Sequence, residues 1–463
     1  MASSPRAPSF FRALLVVVLA LSVALAPAPA AATGVFRVRR KFPRHGGAAG
    51  EAEEHLAALR RHDSRRHGRL LLGAVDLPLG GVGLPTETGL YFTRIEIGAP
   101  PKGYYVQVDT GSDILWVNCI RCEGCPTRSG LGIELTQYDP AGSGTAVGCD
   151  QDFCVANSHG ATCSPTGPTS PCTFKITYGD GSSTAGFYVT DSLQYDQVSG
   201  NGQTTPSNAS ITFGCGAQLA GDLGSSSQAL DGILGFGQSN SSMLSQLAAA
   251  GKVPKIFAHC LDTVHGGGIF AIGNVVQPKV KTTPLVPKVA HYNVNLKGIA
   301  VGGAALQLPT NTFNSGDNTG TIIDSGTTLA YLPDAVYKNL MAVVFDKYQD
   351  MKLRNYQDFL CFQFSGSVDD GFPIITFSFE GDLTLNVYPH DYLFQNGNDF
   401  YCMGFLNGGL QTKDGKEMVL LGDLVLSNKL VIYDLENQVI GWTDYNWGNL
   451  TSFGKYRVIL TVS

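Results

Sequence analysis

The apolar residues that follow Gly89 occur in short runs separated by Gly, Asn, Asp and Pro. Runs such as YYVQV at 104–108 and YNVNL at 292–296 are rich in β-branched and aromatic residues, which predicts short strands. Helical periodicity is confined to two segments: 335–348, with Asp334 as its N-cap, and 242–250, which stops at Gly251. The pattern therefore predicts a mainly β protein with a few short helices.

The first 32 residues have a different pattern. Arg6 and Arg12 precede an unbroken apolar stretch at 13–26, and small residues follow at 28–32. Charged, apolar and small-residue regions in this order predict a secretory signal peptide over 1–32. A membrane anchor is the alternative, but the apolar stretch is shorter than the about 20 residues that a spanning helix needs. No later stretch is long enough, so we expect no membrane span in the mature chain.

Charge divides the remaining chain into two parts. Residues 33–75 carry ten Lys or Arg against four Asp or Glu, whereas residues 76–463 carry 20 against 34, a net charge of −14. We predict a basic propeptide over about 33–85 that covers an acidic cleft and is released when acid protonates carboxylates of the body. A solvated or disordered arm is the alternative. The net charge of the whole chain, −6, does not indicate a nucleic acid partner.

Cysteine usage agrees with a secreted protein. Seven of the eleven cysteines lie between Cys119 and Cys172. In isolation, Cys119, Cys122 and Cys125 could ligate zinc, or one CxxC pair could be redox-active. The oxidising secretory route favours disulfides instead, and the odd count leaves one thiol free, paired between chains or missing its partner. N-glycosylation sequons begin at Asn208, Asn240 and Asn449.

A repeated motif is the most informative feature of the chain. The segment VQVDTGSDILWV at 106–117 recurs as TIIDSGTTLAYL at 321–332. Each copy is followed by two apolar residues and a Gly, in DGILGFG at 231–237 and in VLLGDL at 419–424. A single DTG can be an ordinary turn, but two copies with matching sequels predict two related halves that face each other.

Asp109 and Asp324 occupy the same position in the two copies. If two tight turns bring their carboxylates within a few ångströms, both cannot easily ionise, and the pair shares one proton. One carboxylate can then act as general base on a water molecule while the other donates its proton to a scissile carbonyl. Because water is the nucleophile, the pattern predicts acid-range hydrolysis without a metal or another cofactor.

These motifs resemble those of the pepsin-like (A1) aspartic endopeptidases, and the cysteine-rich stretch resembles their atypical, nepenthesin-like plant branch. The resemblance covers about residues 89–445. It implies a mainly β, bilobal acid protease fold in which two related β-barrel-like lobes enclose a cleft. The implied segments are an N-terminal lobe over 86–280, with a Cys-rich insert at 119–172 and a flap at 176–186, and a C-terminal lobe over 281–446. The tail over 447–463 is atypical and shows no family pattern.

The resemblance also implies roles for single residues. Asp109 and Asp324 are the expected catalytic pair, and Ser112 and Thr327 are expected to hydrogen-bond their outer oxygens. Thr110 and Ser325 are expected to join the two loops. The other implied site residues are Gly111 and Gly326 beside the pair, Tyr178 and Gly179 in the flap, Trp116 as the support of the flap tyrosine, and the motif glycines Gly235 and Gly422.

The sequence thus predicts a monomeric aspartic endopeptidase made as a zymogen, with its own propeptide and protein or peptide substrates as partners. Its expected location is the secretory pathway, either the extracellular space (apoplast) or the vacuole. The alternative is a pepsin-fold binding or inhibitor protein without catalysis. Relatives that share the ending GWTDYN commonly continue with Cys, whereas this chain has Trp447, so Cys215 or Cys260 is expected to lack its partner. His259, His291 and His390 show no metal-ligand spacing and receive no role.

Overall fold

A computed structural model describes residues 74–157, 161–163, 170–198, 204–225, 227–273, 280–309, 312–313, 320–408 and 417–445. The predicted signal peptide, most of the predicted propeptide and the atypical tail, with Trp447 and the sequon at Asn449, lie outside the described residues. Within them, strands are far more numerous than helices. The prediction of a mainly β fold with a few short helices is therefore confirmed.

The first half contributes twelve strands: β1 (Ala74–Val82), β2 (Leu90–Ile97), β3 (Lys102–Asp109), β4 (Leu115–Glu123), β5 (Thr145–Ala146), β6 (Ala161–Cys163), β7 (Cys172–Thr177), β8 (Ser183–Val198), β9 (Thr204–Ala220), β10 (Gly232–Gly235), β11 (Ile256–Leu261) and β12 (Gly268–Ile272). The second half contributes β13 (Thr282–Pro284), β14 (Asn293–Val294), β15 (Leu296–Val301), β16 (Ala304–Ala305), β17 (Thr321–Ile323), β18 (Ala330–Leu332), β19 (Arg354–Tyr356), β20 (Phe359–Gln363), β21 (Ile375–Phe379), β22 (Thr384–Val387), β23 (Leu393–Gln395), β24 (Phe400–Met403), β25 (Phe405–Asn407), β26 (Leu420–Leu421), β27 (Lys429–Asp434) and β28 (Val439–Asp444).

The helices are short. They are α1 (Asp152–Ala156), α2 (Asp222–Ser225), α3 (Met243–Ala249), α4 (Asp334–Val344), α5 (Val368–Gly371), α6 (Pro389–Tyr392) and α7 (Asp423–Leu426), with a 3-10 turn at Glu380–Asp382. No helix in the described part of the chain is long and apolar enough to cross a membrane.

One large sheet joins the two halves of the chain. Its strand order is β13-β28-β27-β11-β12-β1-β2-β3-β10-β4-β9-β8-β7-β6, and β5 pairs with β8. Strands β27 and β28 come from the second half and join the first half through β11, where Phe257 lies opposite Tyr433. The rest of the second half forms three smaller sheets, β14-β17-β26-β18-β25, β16-β15-β21-β22 and β19-β20-β24-β23.

The two copies of the repeated motif have the same local structure. Strand β3 ends at Asp109 and runs parallel to β10, with Gly235 opposite Asp109. Strand β17 ends one residue before Asp324 and runs parallel to β26. The apolar residue that precedes each aspartate, Val108 or Ile323, is buried. Burial of the strand therefore fixes each aspartate at a strand end, as the repeat predicts.

Strand β1 consists of residues that the sequence analysis assigns to the propeptide. It pairs with β12 from Val75, opposite Ile272, to Leu79, opposite Gly268, and it also pairs with β2 and β8. Val75 is buried. Residues 74–82 are thus an integral part of the large sheet, and removing them would expose the edges of both neighbouring strands. The position of propeptide cleavage stays a prediction.

The predicted boundaries of the longer helix are partly wrong. Helix α4 begins at Asp334 and ends at Val344, and Pro333 is its N-cap. Pro333 has φ −53°, as its ring requires, and its ψ of 147° lies outside the helical range, so Asp334 is in the first turn. The helix ends earlier than predicted, and its C-cap, Phe345, packs edge-on against core aromatic rings.

The second predicted helix and one predicted strand show smaller differences. In α3, Ser242 is the N-cap and accepts a hydrogen bond from the Ser245 N–H, and Gly251 follows with φ +66°. The strand predicted at 292–296 is interrupted at Asn295. There the Asn295 side chain donates to the Glu380 carboxylate (2.7 Å), and the Asn295 carbonyl accepts the Glu380 N–H (3.0 Å).

Disulfides account for ten of the eleven cysteines: Cys119–Cys215, Cys122–Cys125, Cys149–Cys163, Cys154–Cys172 and Cys361–Cys402. The zinc alternative for the first cysteines of the insert is wrong, because their sulfurs are already bonded. Of the two candidates for a lost partner, Cys215 is paired. Cys260 is free and buried.

Candidate active site

The two repeated loops lie against each other at their glycines. A β-carbon at Gly111 would come within 2.7 Å of Asp324 Oδ2, and a β-carbon at Gly326 would collide with Asp109 Oδ1. Both aspartates are buried, with exposed fractions of 6% for Asp109 and 7% for Asp324. Only glycine fits at these two positions, and the structure brings both predicted carboxylates into one buried site.

Each carboxylate is held by its own loop in the same way. The backbone N–H two residues after the aspartate donates to Oδ1, at 2.8 Å in both loops. The hydroxyl three residues after it donates to Oδ2, from Ser112 to Asp109 and from Thr327 to Asp324 (2.7 Å). These are the contacts that the resemblance implies for Ser112 and Thr327.

The contact between the loops is one-sided. Thr110 Oγ1 accepts the Ser325 N–H (2.8 Å) and donates to Asp324 Oδ1 (3.3 Å). The Ser325 hydroxyl is buried and has no hydrogen-bond partner within the described ranges. Thr110 therefore joins the loops as expected, but Ser325 does so only through its backbone. The Asp324 carboxylate accepts a donor from the opposite loop that has no counterpart from Ser325 at Asp109.

The electrostatic surroundings of Asp109 favour its protonated form. Burial, followed by the negative charge of Asp324, raises the pKa of Asp109 to about 7, although hydrogen bonds from the loop act in the opposite direction. At acidic pH, Asp109 therefore carries a proton. A protonated carboxyl beside a second carboxyl can divide the roles of general acid and general base between two like side chains.

The predicted flap is a hairpin made by β7 and β8. Trp116 is buried, and its Nε1–H donates to the hydroxyl of Tyr178 (2.7 Å). Asp180 stabilises the turn by accepting the N–H and the hydroxyl of Ser182. Burial, followed by the nearby Asp109 carboxylate, raises the pKa of Tyr178. The flap tyrosine thus faces the aspartate pair, whereas a β-carbon at Gly179 would lie in open space.

The two motif glycines permit close packing beneath the loops. A β-carbon at Gly235 would come within 2.5 Å of the Asp113 backbone. A β-carbon at Gly422 would collide with the carbonyl oxygens of Thr327 and Leu329. Each glycine therefore allows a supporting strand to press directly on an aspartate loop.

Two family comparisons cover both halves of this site. Residues 91–274 match the family described as xylanase inhibitor N-terminal, and residues 291–444 match the family described as xylanase inhibitor C-terminal. The chain is 49% identical to aspartic proteinase 36 of Arabidopsis thaliana over 415 residues. The aligned region covers 89% of this chain and 84% of that protein. The chain belongs to the pepsin-like A1 family.

Other A1 relatives and a solved structure agree. Aspartic proteinase 39 of Arabidopsis thaliana is 48% identical over 419 residues, covering 90% of this chain and 85% of that protein. Nepenthesin-2 of Nepenthes gracilis is 27% identical over 376 residues, 78% of each chain. Basic 7S globulin from soybean has a TM-score of 0.63 at 20% identity, covering 81% of this chain and 98% of that chain. This last likeness confirms the predicted bilobal pepsin-like fold.

A further buried carboxyl next to the second aspartate loop was not predicted. Asp423 follows Gly422 directly, its N–H donates to the Thr327 carbonyl (2.7 Å), and its side chain is 1% exposed. Burial, followed by the charges of Asp324 and Asp109, raises its pKa well above the ordinary range. The repeated motif does not predict this residue, because Gly235, which corresponds to Gly422 in the first half, is followed by Phe236.

The remaining candidate sites carry no further chemistry. The sulfurs of Cys149, Cys154 and Cys163 lie within 4.8 Å of one another, but all three belong to disulfides and cannot ligate a metal as free thiolates. Asn208 and Asn240 are exposed, as glycan acceptors need to be. Glycosylation at these asparagines stays a prediction.

Proposed function

We propose that this protein is an aspartic endopeptidase that hydrolyses peptide bonds of proteins at acidic pH. The observation that carries the proposal is the pair of buried aspartates, Asp109 and Asp324, each held by a complete set of donors from its own loop. Relatives named aspartic proteinase, at 49% and 48% identity over most of the chain, support it.

The unequal surroundings of the two aspartates suggest how the roles divide. Asp324 accepts donors from Gly326 and Thr327 of its own loop and from Thr110 of the opposite loop. Asp109 holds the proton, because burial raises its pKa. We therefore assign the general base to Asp324 and the general acid to Asp109.

In the proposed reaction, a water molecule gives a proton to Asp324 as its oxygen bonds to the scissile carbonyl carbon. Asp109 gives its proton to the carbonyl oxygen, which produces a neutral gem-diol. Asp324 then passes its proton to the amide nitrogen and the C–N bond breaks. Asp109 takes a proton back from the gem-diol, which becomes the product carboxylic acid, and the pair returns to its starting state.

Substrate is proposed to bind as an extended peptide between the lobes and under the flap. Backbone hydrogen bonds would supply affinity, and alternating side-chain pockets would supply specificity. The hydrogen bond between Trp116 and Tyr178 supports this role, because it fixes the flap tyrosine near Asp109. Secretion, a zymogen stage with a basic propeptide, a monomeric state and a location in the apoplast or vacuole complete the proposal.

The decisive experiment is cleavage of an unfolded protein substrate from about pH 3 to about pH 7. We expect acid-range cleavage by the wild type and a loss of about 1,000-fold or more in Asp109→Asn and in Asp324→Asn. Asp346→Asn, which neutralises an exposed aspartate, is the matched control and should retain full activity. Absence of cleavage by folded wild-type protein, after removal of the basic segment, would contradict the proposal.

A non-catalytic binding or inhibitor function is the second candidate, because both matching families are described as xylanase inhibitors. Under this hypothesis, the folded protein would inhibit a microbial xylanase, and Asp109→Asn would inhibit it equally well. The intact donor sets around both carboxylates favour catalysis, since binding alone does not need them.

A further inference from the structure

A chain of buried polar side chains leads from the large sheet to the candidate active site. The imidazole Nε2 of His259, in β11, lies 3.2 Å from the hydroxyl of Tyr433, in β27. The Tyr433 side chain lies beside that of Thr110. Thr110 in turn donates to Asp324 Oδ1 (3.3 Å). His259, Tyr433 and Thr110 are each at most 1% exposed.

The pairing of β11 with β27 fixes this arrangement. Tyr433 of β27 lies opposite Phe257 of β11, and His259 comes two residues after Phe257 in β11. The three side chains therefore lie on one face of the sheet. The Tyr433 ring stacks on the Phe257 ring, with centroids 4.3 Å apart and planes 7° apart, and meets Tyr292 edge-on at 4.7 Å. The tyrosine ring is therefore held on both sides, and its hydroxyl has a fixed position.

Counting donors and acceptors assigns a direction to the chain. The Thr110 hydroxyl has one hydrogen, which goes to Asp324, and two lone pairs, one of which accepts the Ser325 N–H. The second lone pair can accept the Tyr433 hydrogen, which leaves the Tyr433 oxygen to accept from His259 Nε2–H. His259 Nδ1 is then a bare acceptor, and it is indeed the ring nitrogen without a partner among the described residues.

We propose that His259 and Tyr433 are positioning residues of the active site. Their aligned hydrogen bonds hold the Thr110 hydroxyl in the orientation that donates to Asp324, which gives Asp324 a donor from the opposite loop that Asp109 lacks. This inference rests on the proposed peptidase function. It also explains how a doubled motif gives two unlike carboxylates, because the chain ends on one of them and the Ser325 hydroxyl offers nothing equivalent to the other.

The ionisable groups around Asp324 are consistent with this role. Asp109 lies in the opposite loop, Asp423 lies in α7 and Tyr433 comes from β27. These carboxyls repel one another when they are charged, and a hydroxyl donor within the group stabilises negative charge there. Burial lowers the pKa of His259 to about 3, and the imidazole stays neutral above that pH. His259 therefore acts through its N–H and not through a charge.

The test is the pH profile of kcat/KM for Tyr433→Phe, which removes one hydroxyl and keeps the stacked ring. With the Thr110 donor less firmly held, the first deprotonation of the aspartate pair should become harder. We expect the acid limb to move up by about half to one pH unit, with a loss of about three- to tenfold at the acid end. Tyr195→Phe is the matched control, since its buried hydroxyl has no partner in the described part of the chain.

Variants of His259 test whether the chain acts in series. His259→Leu should give a smaller shift of the same sign, and His259→Gln, which keeps a donor near the Nε2 position, should restore the wild-type limb. The double variant Tyr433→Phe/His259→Leu should match Tyr433→Phe alone, because the histidine has no route to Thr110 without the tyrosine hydroxyl. Thermal unfolding establishes that each variant is folded.

The outcomes separate this proposal from the proposed function. An inactive wild type would overturn the peptidase function, and the inference would fall with it. An active wild type whose acid limb coincides with that of folded Tyr433→Phe would overturn the inference alone. Lower thermal stability without a shifted limb would assign the two residues a structural role only, and additive shifts in the double variant would overturn their action in series.

Discussion

Gly326 of the second repeated loop lies directly against the carboxylate of Asp109 in the first loop. The reciprocal contact joins Gly111 to the carboxylate of Asp324. Each aspartate therefore packs directly against the glycine of the loop that carries the other aspartate. A change at either glycine should act on the aspartate of the opposite half of the chain.

The first prediction concerns Gly326→Ala. The added methyl group would collide with Asp109 Oδ1, so either the carboxylate or the loop must move. We expect kcat/KM to fall about 100-fold or more and the free energy of unfolding to fall by about 1–3 kcal/mol. Enzyme assays and urea unfolding measure the two effects.

Gly298→Ala is the matched control for this change. An added β-carbon at Gly298 would meet no atom within 4 Å, so stability and activity should stay near the wild-type values. Equal activity of Gly326→Ala and Gly298→Ala would show that the loops are not interlocked as described.

The repeated motif made the centre of the site predictable, because a doubled strand–Asp–Gly pattern dictates two similar turns. Its asymmetry was not predictable. Whether the hydroxyl of Thr110 or that of Ser325 reaches across depends on tertiary placement, and only Thr110 does so. Asp423 was missed because just one half of the repeat contains it.

His259 was missed for a different reason. A single histidine in the apolar strand IFAHCL has the pattern of an ordinary core residue, and its partner, Tyr433, is 174 positions away. The same separation in sequence hides disulfide pairing, as in Cys119–Cys215. Local pattern predicts which segments become strands, whereas contacts between distant strands depend on their register.

The second prediction is that the folded state is most stable in acid. Burial raises the pKa of Asp231 and of Asp76 to about 6 and that of Asp109 to about 7. Between the unfolded pKa, about 3.9, and these values, the folded state binds protons that the unfolded state has released. Stability is therefore fully present below about pH 4 and is lost as the pH rises to about 7. His259, with its pKa lowered to about 3, acts in the opposite direction, but the carboxyls outnumber it.

Thermal unfolding between about pH 4 and about pH 8 measures this dependence. The midpoint temperature should fall as the pH rises, with the steepest change between about pH 4.5 and about pH 6. A midpoint that rises over this range would show that these carboxyls are ionised and paired in the folded protein.

The third prediction isolates one of these carboxyls. Asp423 is buried, and its pKa lies well above the ordinary range because burial and two neighbouring aspartates oppose its charge. Asparagine has the shape of the protonated aspartate but cannot ionise. Asp423→Asn should therefore leave the midpoint near the wild-type value at about pH 4 and raise it at about pH 7.5. The control Asp346→Asn, at an exposed position, should keep the wild-type dependence, and a parallel curve for Asp423→Asn would contradict the prediction.

The last prediction separates the flap from general stability. Trp116→Phe removes the donor to the Tyr178 hydroxyl, so the flap tyrosine is no longer held near Asp109. Trp442→Phe also removes a buried indole that donates a hydrogen bond, here to the Thr384 carbonyl (2.8 Å). Both variants should lose about 1–3 kcal/mol of unfolding free energy. In Trp116→Phe alone, kcat/KM should fall about tenfold, because the substrate is bound less productively under a displaced flap. Equal losses of activity in the two variants would mean that Trp116 acts through folding and not through the flap.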